Sequence, residues 1–254
     1  MIPSMIGLFL IFLCWGSFLN VVGYRIIRGY SLLGRSFCPH CRHTIAWHDL
    51  IPILSWLVLQ GRCRNCRNVI SPLYPLVEFL TAMVLTLMIV SIDKQYWLGY
   101  GILISALMVT LRTDFEKMLI SRYMTLALIP VAFLLIFLKM LPLTPLESIT
   151  GALFGYLVLW IIARLFYLVR KIQGMGVGDM DLLSMIGAFT GMTGAWSSLL
   201  IGSWLGTLAA LVQMLINKRM QVKIAFGPWL AAGALIYLFF QDQILLLINT
   251  LTTY

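Results

Sequence analysis

The sequence predicts an all-α polytopic membrane protein of about eight transmembrane helices, with a small cytoplasmic zinc-binding loop domain between helices 1 and 2. Three observations carry this. Of 254 residues, 61% are hydrophobic and only 11% are charged, whereas a soluble domain has about 25% charged residues. Apolar runs recur near the ~20-residue length that crosses a ~30 Å hydrocarbon layer. Basic residues collect in alternate connections, as a membrane topology requires.

The expected spans are roughly 2–22, 73–92, 96–111, 123–139, 149–169, 182–195, 196–216 and 226–246. The first has no basic residue ahead of its apolar run and is read as a retained helix with its N-terminus outward, not as a cleavable signal. The sixth is short. Its stretch "GAFTGMTGAW" reads either as a turn between two spans or as part of one kinked helix. Gly187, Gly191 and Gly194 there suit close helix packing. No internal repeat is evident. The expected organisation is a first helix over 1–22, a tetracysteine loop over 23–72 and a membrane core over 73–254.

Of 18 Lys and Arg, fifteen fall in connections assigned to one side. They are Arg25, Arg28, Arg35, Arg42, Arg62, Arg64 and Arg67, then Arg112, Lys117 and Arg122, then Arg170 and Lys171, and finally Lys218, Arg219 and Lys223. Only Lys94 and Lys139 fall on the other side, and Arg164 lies within a span. Positive charge stays in the cytoplasm, so both termini are expected outside. The net charge of +9 is then a topology signal. Because the charges are divided among loops, nucleic acid is not an expected partner; the bilayer is.

Residues 23–72 contain all three histidines and four of the five cysteines. "CPHC" (Cys38, Cys41) and "CRNC" (Cys63, Cys66) are separated by 21 residues. Four thiolates at this spacing suit tetrahedral zinc in a closed, structural site. Reduced thiols are expected on a cytoplasmic face. Unmetallated or redox-active thiols are the alternative. His40 and His43 are substitute ligands in principle, but four cysteines complete the shell, so the histidines read as solvent-exposed or as neighbours of the ligands. Cys14 in the first span reads as a small packing residue.

Among the acids, Asp49, Asp93, Glu147 and Asp242 read as surface or span-end residues. Asp114, in "LRTDFEKMLIS", and Asp179, in "GMGVGDMDLL", are expected at one depth on one side. A carboxylate near hydrocarbon is costly, and so it is a functional candidate. Two that approach each other share a proton, which provides a general base and a general acid together. Gly174, Gly176 and Gly178 would allow close backbone approach and positive φ beside Asp179, and so form a substrate-approach loop. The plainer reading pairs Asp114 with Arg112 or Lys117 and makes Asp179 an N-cap. Asp181 and Glu116 read as solvated neighbours. Glu78, one turn into the second span, would pair with an arginine or polar backbone, or serve a second activity.

These motifs together resemble the type IV prepilin peptidases, which belong to the GxGD membrane aspartic proteases. "GSFLNVVGYR" (16–25), the two CxxC pairs, "SPLYPLVE" (71–78), "GMGVGD" (174–179) and "AFGPWLAAG" (225–233) occur in that family's order. The resemblance implies Asp114 and Asp179 as the catalytic pair. It further implies removal of the basic leader of prepilins or pseudopilins at the cytoplasmic face of the inner membrane. It also implies methylation of the new N-terminus by S-adenosylmethionine. In two places the chain departs from the family pattern. Where the family has Leu-Pro-Asp this chain has "LISR", with Ser121 and Arg122, and a lysine gives way to Asp181. A proton-coupled transporter and a non-catalytic zinc-ribbon scaffold are the competing expectations. The first calls for inverted repeats or broken mid-membrane helices; the second has no use for the acids.

Overall fold

The structure, a computed structural model, describes residues 2–217 and 225–252. Lys218, Arg219, Lys223 and the terminal Tyr254 of the charge argument lie outside the described residues. Among the described residues the chain is helical, without strands. It forms two compact units, Met1–Val90 and Ser91–Tyr254.

The first unit contains α1 (Ile2–Ile26), α2 (Leu54–Val58) and α3 (Leu73–Ser91). Gly16 lets α1 approach the α3 backbone closely, since a Cβ there would lie 2.9 Å from Glu78 Cα. Asn20 Nδ2 donates to the Tyr74 carbonyl at 3.1 Å. Arg25 is buried, and its guanidinium donates to the carbonyls of Ser31, Leu32, Gly34 and Arg35. A buried cation is tolerable when its donors are met in this way. Gly16, Asn20 and Arg25 of the first-span signature thus each hold the loop's entry. Cys14 is exposed and does not pack as expected.

The loop contains a repeat that the sequence reading missed. Cys38 N–H donates to His43 O, and Arg42 N–H to Cys38 O; Cys63 N–H donates to Asn68 O, and Arg67 N–H to Cys63 O. Phe37 bridges Thr44 and Arg62 bridges Val69. Arg42 and Arg67 both take left-handed backbone, at φ 59° and 60°. "CPHCRHTI" and "CRNCRNVI" are therefore two copies of one knuckle.

The second unit comprises α4 (Trp97–Lys117), α5 (Arg122–Phe137), α6 (Pro145–Arg170), α7 (Val177–Asn217), α8 (Gly227–Phe239) and α9 (Gln241–Thr252). α6 opens on a capping box. Glu147 N–H donates to Thr144 Oγ1 at 3.3 Å, Thr144 N–H donates to Glu147 Oε2 at 2.7 Å, and Pro145 fills the first turn. α6 and α7 pack through Gly151, Gly155 and Gly187, each against the other helix's backbone. Two serines stitch them reciprocally. Ser148 Oγ donates to Ala188 O at 2.7 Å, and Ser184 Oγ to Ala152 O at 2.9 Å. Small residues with such bonds are how helices associate where water supplies no driving force.

Five helical segments among the described residues are long and apolar enough to cross a membrane: Met5–Ile26, Leu73–Ser91, Lys94–Lys117, Pro145–Arg170 and Val177–Ile216. α5 and α8, with 16 and 13 residues, are shorter apolar helices. The expected sixth and seventh spans form one helix, α7, broken only at Gly191 (φ 73°, ψ −177°). The kinked form is therefore the one adopted, at a position only glycine takes readily. The expected last span divides at Phe240 into α8 and α9.

Candidate active site and metal centre

Asp114 falls in the last turn of α4, not beyond it as the predicted span end at 111 implied. Met118 closes the helix in left-handed backbone and donates its N–H to Asp114 O at 2.8 Å. The Asp114 side chain is buried, and its Oδ2 accepts the Gly227 N–H at 3.0 Å. That donor lies at the first residue of α8, where Pro228 follows and where backbone N–H groups have no partner within the helix. Arg112, offered above as a partner for Asp114, pairs through Nη1 with Glu116 Oε2.

Asp179 lies at the third residue of α7. Its N–H donates to Gly176 O at 3.3 Å, and its carboxylate receives the Gly176 N–H in return. This is half of a capping box, with the carboxylate at the positive end of the helix. Asp179 is therefore not the N-cap residue. It is half-buried and lies close enough to Asp114 for the charge there to act on it. Two acids from different helices, each holding one backbone N–H, can take a proton from a water and hydrogen-bond a carbonyl oxygen.

Of the two properties expected of the glycines, close approach and positive φ, only the first is used. Gly174, Gly176 and Gly178 all lack positive φ. Gly174 packs against the Phe166 ring, and a Cβ on Gly178 would lie 2.9 Å from Ile120 Cβ. Their value is small size. Ile120, which sequence reading passed over, fills the space between Gly178 and Gly227; a Cβ on Gly227 would lie 3.0 Å from its Cδ1. The Gly-Pro pair at the start of α8 was the available signal for the Gly227 donor. Asp181, expected to be solvated, is wholly buried and paired with Arg122.

In the first unit, Glu78 is buried and its Oε2 accepts the Ile53 N–H at 2.8 Å. Ile53 is β-branched yet has φ 61°, a strained conformation. The polar-backbone reading of Glu78 is therefore the one the geometry carries. It pins the bend leading into α2.

The sulfurs of Cys38, Cys41, Cys63 and Cys66 all lie within 4.8 Å of one another, with Cys38 and Cys66 3.8 Å apart. Zn–S bonds of about 2.3 Å in a tetrahedron separate sulfurs by about 3.8 Å, so the set fits zinc. His40, His43 and His48 are exposed and outside the cluster. The Asn65 amide beside Cys41, with the His43 backbone N–H, lowers that thiol to about 6. Backbone N–H groups of Cys66 and Asn65 lower Cys63. Cys66 accepts the Asn68 N–H but is still pushed up to about 11 by burial and the three sulfurs around it. Four crowded thiolates need a cation to exist together.

Residues 10–92 match the family described as Bacterial Peptidase A24 N-terminal domain, and residues 101–211 match the Type IV leader peptidase family. The chain is 35% identical to a prepilin leader peptidase/N-methyltransferase of Aeromonas salmonicida, over 93% of this chain and 90% of that protein. It is 38% identical to one of the same name from Klebsiella pneumoniae, over 77% and 89%. A type 4 prepilin-like proteins leader peptide-processing enzyme of Escherichia coli O78:H11 is 31% identical, over 89% and 90%. No solved structure matches the chain.

Proposed function

The chain belongs to the type IV leader peptidase family, and from that premise we propose that it is a membrane aspartic endopeptidase whose catalytic pair is Asp114 and Asp179. Its substrates are prepilins or pseudopilins, and the bond cut joins their basic leader to an apolar helix. The observation that carries this is the pair itself. Asp179, at the start of α7, lies within reach of the charge on Asp114, at the end of α4, and Asp114 accepts the Gly227 N–H.

With one acid ionised and the other protonated, the ionised carboxylate takes a proton from water as that water attacks the scissile carbonyl carbon. The protonated acid hydrogen-bonds the carbonyl oxygen, and collapse of the tetrahedral intermediate expels the amine, which takes up a proton. The loop of Gly174, Gly176 and Gly178 is where extended substrate backbone approaches Asp179, with the open space at Gly176, since Phe166 and Ile120 fill the space at the other two. The charge distribution supports a multi-pass protein of the bacterial inner membrane with about eight spans, both termini outward and the dyad on the cytoplasmic side. Residues 23–72 are the cytoplasmic metal-binding insert between the first helix (1–22) and the membrane core (73–254). Zinc held by Cys38, Cys41, Cys63 and Cys66 is structural, because four protein ligands leave no open position.

The relatives' names support a second activity, N-methylation of the new N-terminus with S-adenosylmethionine as methyl donor. No residue set is assigned to that donor.

The test is leader release from a prepilin in detergent, followed by gel shift. Asp114→Asn and Asp179→Asn should each lose turnover by orders of magnitude while staying folded, since an amide cannot exchange the proton. Near-normal cleavage by either variant rejects the dyad.

A further inference from the structure

The dyad reading makes no use of one ion pair beside it. Arg122 Nε donates to Asp181 Oδ2 at 2.6 Å, from the first residue of α5 to the first turns of α7. The Asp181 side chain is 0% exposed and that of Arg122 56%. Asp181 Oδ1 is buried without a hydrogen-bond partner among the described residues. For stability alone such an arrangement is poor, because a buried carboxylate with an unmet oxygen is costly and apolar packing often does as well. What the pair supplies is a fixed register between two elements.

Those elements carry the two catalytic candidates. From Asp114 the chain runs through the left-handed Met118 to Ile120, which is wedged between Gly178 and Gly227, and then to Arg122. Arg122 is held by Asp181, and Asp181 is two residues from Asp179 on the same helix. The ion pair therefore closes a ring of short links joining Asp114 to Asp179. Without it, α5's first turn would meet the start of α7 through the apolar Ile120 contact, which resists approach but not sliding. Arg122 and Asp181 also lie among the positions where the chain departs from the family pattern. The structure joins these two departures in one contact.

We propose that the Arg122–Asp181 ion pair is a positioning device that fixes the first turn of α5 on α7 and thereby sets the spacing of Asp114 and Asp179. This rests on the dyad reading. Neither residue touches the reacting atoms. Their effect passes through the helix starts they join.

The full chain in detergent, given a prepilin, is assayed for kcat, KM and pH–rate profile, with thermal unfolding in parallel. Arg122→Gln and Asp181→Asn should each lower kcat by about 10–100-fold, the scale of a displaced catalytic group, with KM changed less than about twofold. Both should alter the pH–rate profile, because the spacing of two carboxylates sets how strongly their titrations couple. Arg122→Lys should retain most turnover. Exchanging the charges, Arg122→Asp with Asp181→Arg, should restore kcat to within about fivefold of the parent and so be strongly non-additive. Unchanged kcat and pH profile in the single variants overturns the proposal. A swapped pair as impaired as both singles combined overturns it too, as does a loss of kcat that only follows the folded fraction. Should a single variant not fold, the swap decides: folding restored together with kcat supports the device, and folding restored without kcat overturns it. Asp114→Asn and Asp179→Asn in the same assay keep the two readings apart. Normal turnover there removes the dyad. Inactivity there, beside unaffected Arg122 and Asp181 variants, removes only the device.

Discussion

Gly227 donates its backbone N–H to Oδ2 of Asp114 at 3.0 Å, across 113 residues of sequence. The start of α8 is thereby part of the dyad's setting. A Cβ at Gly227 would lie 2.7 Å from that same oxygen, so a methyl group there must push the carboxylate aside. Gly227→Ala should lower kcat by about 10–100-fold, through displacement of Asp114, with little change in the melting temperature. Full activity in purified Gly227→Ala would show that Asp114 does not depend on this contact.

The loop glycines should differ in their tolerance of a methyl group. At Gly178 a Cβ meets Ile120 Cβ at 2.9 Å, an atom close to backbone that cannot swing away. At Gly176 the nearest atom is Asp179 Oδ2 at 3.5 Å, an ordinary contact. Gly178→Ala should therefore lose at least about tenfold in turnover, and Gly178→Val more, while Gly176→Ala stays within a few-fold. Equal effects at the two positions in a leader-release assay would contradict this ordering.

The cysteine cluster should bring one zinc per chain, measurable by elemental analysis of purified protein. Cys38→Ser or Cys63→Ser should remove the metal and open residues 36–70 to limited proteolysis. Each knuckle has little core, and metal binding is a large share of such a loop's folding free energy, on the order of 10 kcal/mol. Metal-free protein with an equally protected loop would reject the structural role.

Asp49 adds a pH dependence to the same loop. Arg64 donates to both its oxygens, at 2.8 and 2.6 Å, and holds its carboxyl below the usual range. A depressed acid stabilises the fold above its unfolded value of about 3.9, and that contribution is lost as pH falls through the lower folded value. The Asp49 share of protease protection around Trp47–Leu50, read as the difference between the parent and Asp49→Asn, should thus be constant from neutral pH to about 4 and decline below it. Asp49→Asn should lower the plateau and flatten the decline. The effect should be modest, because Arg64 is largely in water.

Much of the site was legible because its signals are local. The CxxC spacing, GxGD and the acid at the end of an apolar run can each be read within a dozen residues. Asp181 was misread because burial belongs to neighbours, and nothing near it in sequence announces Arg122. The glycines were read for both close approach and positive φ; only the space is used, and at Gly178 the neighbour that demands it, Ile120, lies on a different element. The knuckle repeat was within reach, since "CPHCRHTI" and "CRNCRNVI" share C-x-x-C-R-x-x-I; what eight residues could not show is that the likeness extends to backbone bonds such as Cys38 N–H to His43 O and Cys63 N–H to Asn68 O.

The sequence by itself determined the all-helical membrane class, the four-thiol cluster and the two acids worth testing. Those follow from hydropathy, charge and spacing, which act along the chain. Only the tertiary structure decided that α7 bends at Gly191, where one φ value settles whether two spans or one kinked helix forms. It alone set Gly227 on Asp114 and Arg122 on Asp181. Inside an apolar core a polar group takes whichever partner packing brings within about 3 Å, and that choice is made between helices, where no sequence period records it.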